Sequence, residues 1–150
     1  MILKPEAVRI LSGATSKKRL MQELGFIVES AYDVPHGAAV EALLEREGLG
    51  PTGVGNGVAL PHARIDGLDK VVGVLTLLEK PIDFDSVDRQ PVDLAFALFA
   101  PIGAGVEHLK ALALVSRTLR DTTLCSKLRA NTDPMTLYTI VTEAQAAQAA

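Results

Sequence analysis

The sequence predicts a single α/β domain, a mixed parallel and antiparallel β-sheet flanked by helices on both faces. Three observations predict it. The 150-residue chain is 48% hydrophobic but only 4% aromatic, with no Trp, which suits one core built from Leu, Val, Ile and Ala. Two apolar runs, VVGVLTLL (71–78) and VDLAFALF (92–99), have strand length and no polar alternation, as strands covered on both faces do. Helical spacing of apolar residues precedes and follows those runs, which gives helices against a sheet.

Taken in order, residues 17–31 place Leu20, Leu24, Ile27, Val28 and Ala31 on one helical stripe, broken by Asp33 and Pro35. HGAAVEALLERE continues the spacing through Val40, Leu43 and Leu44 and stops at Gly48. A glycine-rich stretch follows, and GVALPH reads as a buried strand that ends at Pro61 and presents His62 at its edge. Between the two apolar runs, EKPIDFDSVDRQP reads as turns around a short edge strand at Ile82–Phe84. Beyond Pro101, Val106, Leu109, Leu112, Ala113 and Leu119 make one helical stripe, and Leu124 and Leu128 a shorter one. Asp133 and Pro134 open a last helix as N-cap and first helical residue. Residues 144–150 read as a fraying tail of a domain spanning 1–150.

The charge balance narrows the functions. Fifteen basic and 18 acidic residues give a net charge of −3, and no basic stripe is present to neutralise several phosphates, so nucleic acid is not an expected partner. SKKRL reads as a solvated helix face. A single cysteine, Cys125, forms no intramolecular disulfide and fits a reducing compartment; beside Leu124 and Leu128 it reads as a small buried hydrophobe. MILKPEAVRILSG lacks a signal-peptide core, and no apolar run approaches the ~20 residues that span a bilayer, so the chain reads as cytoplasmic without membrane insertion.

The chemistry concentrates in GPTGVGNGVALPHARI (50–65). Gly53, Gly55 and Gly57 alternate and do not match a dinucleotide fingerprint; no Gly-Lys pair exists for a phosphate-cradling P-loop, and no serine sits in a nucleophile elbow. His36, His62, His108 and Cys125 show no metal-binding spacing on one helix or turn. His62 therefore has two readings: a structural histidine at a strand end, or an exposed imidazole beside free loop amides, suited to carrying a phosphoryl group. Arg46 lies just ahead of the loop, as a surface partner of Glu45 or Glu47 or as a second anion contact. His108 lies in the first turn of a helix, where free N–H groups favour an anion, and His36 reads as structural.

REGLGPTGVGNGVALPHARI resembles the active-site segment of type-2 enzyme IIA phosphocarriers of the phosphoenolpyruvate-dependent phosphotransferase system, through the pattern T-G-[IV]-G-x-G-x-A-[IL]-P-H. The resemblance continues through PIDFDSVDRQPVDLAFALFAP and EHLKALALVSRTLRD and covers residues 3 to about 143. SKKRLMQEL and DFDSVDRQPVDLAFALFAP are most similar to its nitrogen-related members. It implies that His62 accepts a phosphoryl group, through Nε2, from an HPr-like histidine phosphocarrier protein. It also implies that Arg46 clamps that group, that His108 donates a hydrogen bond, and that no cofactor or metal is needed. Residues Thr52, Gly53, Gly55, Asn56 and Gly57 would form the phosphate-binding loop.

The nitrogen-related likeness implies that phosphorylation regulates protein targets, such as potassium transport, a sensor kinase or a stringent-response enzyme. The alternative is a sugar-specific, fructose-type enzyme IIA that passes the group to a permease IIB domain. Two departures from the pattern are Pro51, where a small hydroxyl residue is usual, and the glycines of APIGAGVEHL ahead of His108.

Overall fold

A computed structural model of the chain describes residues 2–149. In chain order these form β1 (Leu3–Leu11), α1 (Lys17–Tyr32), α2 (His36–Gly48), β2 (Gly53–Gly55), β3 (Val58–Ala59), β4 (His62–Ile65), β5 (Val72–Ile82), β6 (Val92–Pro101), α3 (Val106–Arg120), α4 (Thr122–Arg129) and α5 (Pro134–Ala149). One mixed sheet runs β1-β5-β6-β3-β2, with β4 also on β6. The β1–β5, β3–β6 and β4–β6 pairings are parallel; β5–β6 and β2–β3 are antiparallel.

Residues 72–78 and 94–100 are buried at every position. Successive strand residues point to opposite faces, so unbroken burial means that both faces are covered. The helices pack as two groups, α1 with α2 and α3 with α4 and α5. Phe96, Phe99, Leu94 and Leu98 are wholly inaccessible, each contributing about 1.5–3 kcal/mol by leaving water.

Several boundaries differ from the sequence reading, for local reasons. Strand β1 was not expected, because Lys4, Pro5 and Glu6 interrupt its apolar pattern; they occupy a register shift between Leu3 and Val8. The Tyr32 hydroxyl holds this irregular stretch, accepting from the Lys4 N–H at 3.0 Å and facing the Gly73 carbonyl at 2.8 Å. No separate edge strand occupies Ile82–Phe84: Ile82 ends β5 opposite Val92, and Phe84 leaves the ladder to become fully buried. On α3 the core face is His108, Ala111, Val115, Thr118 and Leu119, whereas Val106 and Leu109 are 59% and 64% exposed. Where fraying was expected from residue 144, α5 continues to Ala149 and buries Gln145; Ala150 lies outside the described residues.

The central correction concerns Pro61. It does not end the strand run at His62; it divides it in two. Val58 and Ala59 pair with Leu94 and Ala95, and His62–Ile65 resume on the same neighbour opposite Leu98–Pro101. Pro61 lacks an N–H, but its carbonyl accepts from the Leu98 N–H at 2.9 Å, so the ladder is notched rather than broken. His62 is therefore the first residue of β4, on the cross-sheet row Leu3–Gly73–Leu98–His62.

Candidate functional site

His62 is half-buried and its two ring nitrogens face different partners. Nδ1 lies 2.8 Å from the Leu60 carbonyl, and Arg46 Nε donates to Nε2 at 3.2 Å. A carbonyl only accepts, so Nδ1 carries the proton; a guanidinium only donates, so Nε2 carries the lone pair. Two independent contacts select the same tautomer. Burial holds the His62 pKa below its usual value; the Leu60 hydrogen bond pulls it back up, the Arg46 charge lowers it further, and the Glu47 charge raises it by the least. The ring is neutral at pH 7.

Arg46 reaches this position because α2 packs against β4 and ends close by. Its Nη1 donates to the Gly50 carbonyl at 3.0 Å, which fixes the planar fork. It does not pair with Glu45 or Glu47; Glu47 takes Lys17 Nζ at 2.7 Å instead.

The His108 ring stands 5.6 Å from that of His62, tilted by 49°. The residue is buried, and its Nδ1 has no hydrogen-bond partner. Burial first, then the charges of His62 and Arg64, push its pKa down. His108 stands in the first turn of α3, where free backbone N–H groups favour an anion, and it borders the same depression as His62. An open depression of about 350 Å³ is bounded by Arg46, Leu49, His62, Arg64 and His108, among others. A larger, mostly apolar hollow of about 700 Å³ between Val71, Pro101 and Ala111 holds none of these five residues.

The glycine loop is placed differently from expectation. None of Thr52, Gly53, Gly55, Asn56 or Gly57 lines the depression at His62. The Thr52 N–H donates to Glu47 and the Asn56 N–H to Asp88, so those two amides already hold carboxylates. The glycines serve the β2–β3 hairpin. Gly57 has φ +78, and a Cβ there would lie 2.6 Å from Arg129 Nη2, whose guanidinium clasps Asp93 and donates to the Asn56 carbonyl. In this structure the loop glycines pack the hairpin, and Pro51 is not among the residues that line the depression.

His36 stacks on Phe26 at 4.0 Å, away from the site. Cys125 is buried, and burial raises its thiol pKa. Among the described residues no group of His, Cys, Asp and Glu is arranged to hold a metal ion, and no helix is long and apolar enough to cross a membrane. Two contributors were missed in the sequence. Arg64 shares a strand face with His62 at i, i+2, a spacing that could have found it. The Leu60 carbonyl left no signal in residue type.

Comparison with known proteins bears on the family and the fold. Residues 1–144 match the family described as "Phosphoenolpyruvate-dependent sugar phosphotransferase system, EIIA 2". A nitrogen regulatory protein of Bradyrhizobium diazoefficiens is 45% identical over 140 residues, covering 93% of this chain and 92% of that one. The crystal structure of nitrogen regulatory protein IIA-Ntr from Neisseria meningitidis superposes with a TM-score of 0.87 at 32% identity, covering 93% and 96% of the two chains. The mannitol IIA of Escherichia coli, at 21% identity and a TM-score of 0.78 over 94% and 99%, shares the fold.

Proposed function

Because this chain belongs to the EIIA type-2 family of the phosphoenolpyruvate-dependent phosphotransferase system, we propose that it is a cytoplasmic phosphohistidine carrier whose acceptor atom is His62 Nε2. The observation that carries this reading is the tautomer: Nδ1–H is held by Leu60, leaving the Nε2 lone pair beside Arg46. The donor is an HPr-like phosphocarrier protein bearing a phosphohistidine. The Nε2 lone pair forms the new N–P bond in line as the donor's N–P bond breaks, and that electron pair returns to the donor's ring nitrogen. Each imidazole keeps one N–H throughout, so no proton is gained or lost.

Charge spreads over three oxygens during the transfer, so positioning and electrostatics do the catalysis. Arg46 exchanges its contact with Nε2 for one with the phosphoryl oxygens, and its second N–H adds a fork contact. His108 donates the third contact. The depressed pKa of His62 keeps it an acceptor at neutral pH.

The nitrogen regulatory relatives favour a signalling use, in which the added charge on His62 changes affinity for regulated proteins rather than feeding a sugar permease. The test is intact mass after incubation with phosphoenolpyruvate, enzyme I and the histidine carrier. One acid-labile phosphoryl group, absent from His62→Ala, is expected; label persisting on His62→Ala sinks the assignment.

A further inference from the structure

Arg46 is followed directly by Glu47, and successive helical side chains point about 100° apart. The two therefore leave the end of α2 toward different neighbours. The Glu47 side chain is only 6% exposed. It receives three donors: Lys17 Nζ at 2.7 Å, the Thr52 N–H at 2.8 Å and the Thr52 hydroxyl at 2.5 Å. Lys17 belongs to the first turn of α1 and also donates to the Phe84 carbonyl at 3.1 Å. One carboxylate thus gathers the start of α1, the segment leaving α2 and the loop beyond β5.

Helix energetics do not explain an acid there. A negative charge in the last turn opposes the helix dipole, and burying it costs more still. What the position does explain is the geometry of Arg46. Arg46 Nη1 donates to Gly50, two residues ahead of Thr52. Pinning Thr52 from the end of α2 holds this short segment, so the Gly50 carbonyl stays where the guanidinium meets it. The guanidinium is a rigid plane attached to its side-chain stem, so holding Nη1 on Gly50 narrows the directions open to Nε, which here meets His62.

We propose that Glu47 is a positioning residue for phosphoryl transfer, setting through Thr52 and Gly50 the orientation in which Arg46 meets His62. The proposal rests on the reading of His62 as the acceptor.

The test is a double-mutant cycle on single-turnover transfer from the phosphorylated carrier, over a range of donor concentrations. Glu47→Gln is expected to lose about tenfold in limiting rate with half-saturating donor unchanged, as misorientation of a transition-state contact does. Combined with Arg46→Met, it is expected to cost less than about twofold further, because its effect runs through Arg46. Equal losses in both backgrounds, or a loss confined to half-saturation, overturn the proposal. If Glu47→Gln does not fold, Thr52→Val carries the same cycle. It keeps the Lys17 ion pair, removes only the hydroxyl contact, and is expected to give a smaller loss that again vanishes with Arg46→Met.

One readout does not depend on transfer. In the unphosphorylated protein the Arg46 Nε–H, bonded to His62, should give a slowly exchanging signal in nitrogen-15 NMR. Its loss is expected in the folded Glu47→Gln or Thr52→Val protein, and its persistence there overturns the proposal. If the wild-type protein accepts no phosphoryl group, the acceptor reading fails, and that signal alone still decides whether Glu47 positions Arg46.

Discussion

Arg46→Met removes the guanidinium and keeps most of its aliphatic stem. In the structure the cation lies against the proposed acceptor atom, with Nε 3.2 Å from His62 Nε2. A phosphoryl group on that nitrogen would have oxygens within about 4 Å of it, where unit charges interact by about 1 kcal/mol in water and about 4 kcal/mol at an effective dielectric of 20. His62 is half-buried, so the value falls between these limits. At about 1.4 kcal/mol per decade the expected loss is roughly 5- to 10³-fold in single-turnover rate, centred near 60-fold. A second effect has a definite sign. The Arg46 charge lowers the His62 pKa, so the variant's His62 should titrate at higher pH than the wild type's. Rapid-quench phosphorylation gives the rate, and an NMR titration of the imidazole gives the pKa. A folded variant that transfers within about threefold of wild type, or whose His62 pKa falls, refutes the reasoning.

His108→Gln should slow transfer by about tenfold without abolishing it, as loss of one hydrogen bond to a charged group does, and quench-flow rates check this. Gly73→Ala would set a Cβ 2.6 Å from Phe96 Cε1, inside a fully buried ring. Overpacking of that kind costs about 1–3 kcal/mol, or several degrees of Tm for a chain of this size; an unchanged melting midpoint contradicts it. Both His62 and His108 have folded pKa values below the usual one, so below about pH 6.5 the unfolded chain takes up protons before the folded one. Their contribution to stability, fully present above that pH, should fall with pH down through the lowered folded values. Urea midpoints at pH 7.5 and 5 should drop less in a His62→Gln/His108→Gln protein than in wild type; equal drops contradict the assignment.

The legible part of this protein was whatever composition and periodicity record. Strands β5 and β6 announced themselves because burial on both faces requires unbroken apolar runs, and α1 because one stripe meets the core. His62, Arg46 and His108 stood out as polar residues at element ends, and the fold brings all three around one depression. Strand β1 was hidden because its register shift is filled by Lys4, Pro5 and Glu6 and anchored by Tyr32, a partner 28 residues from Lys4. The glycines suggested an anion cradle because sequence gives backbone freedom but not what the backbone approaches. In the fold it approaches Asp88, Asp93 and Arg129. On α3, apolar residues occupy both faces, and only the sheet decides that Ala111 and Val115 go inward while Leu109 stays out.

The most direct measurement is the site of the phosphorus on the imidazole, read from nitrogen–phosphorus coupling in protein labelled with nitrogen-15 histidine and phosphorylated by its carrier. The Leu60 carbonyl holds Nδ1–H and leaves Nε2 free to react, so coupling should appear at Nε2 of His62, with Nδ1 still protonated. Phosphorus on Nδ1, or on a residue other than His62, would contradict the account.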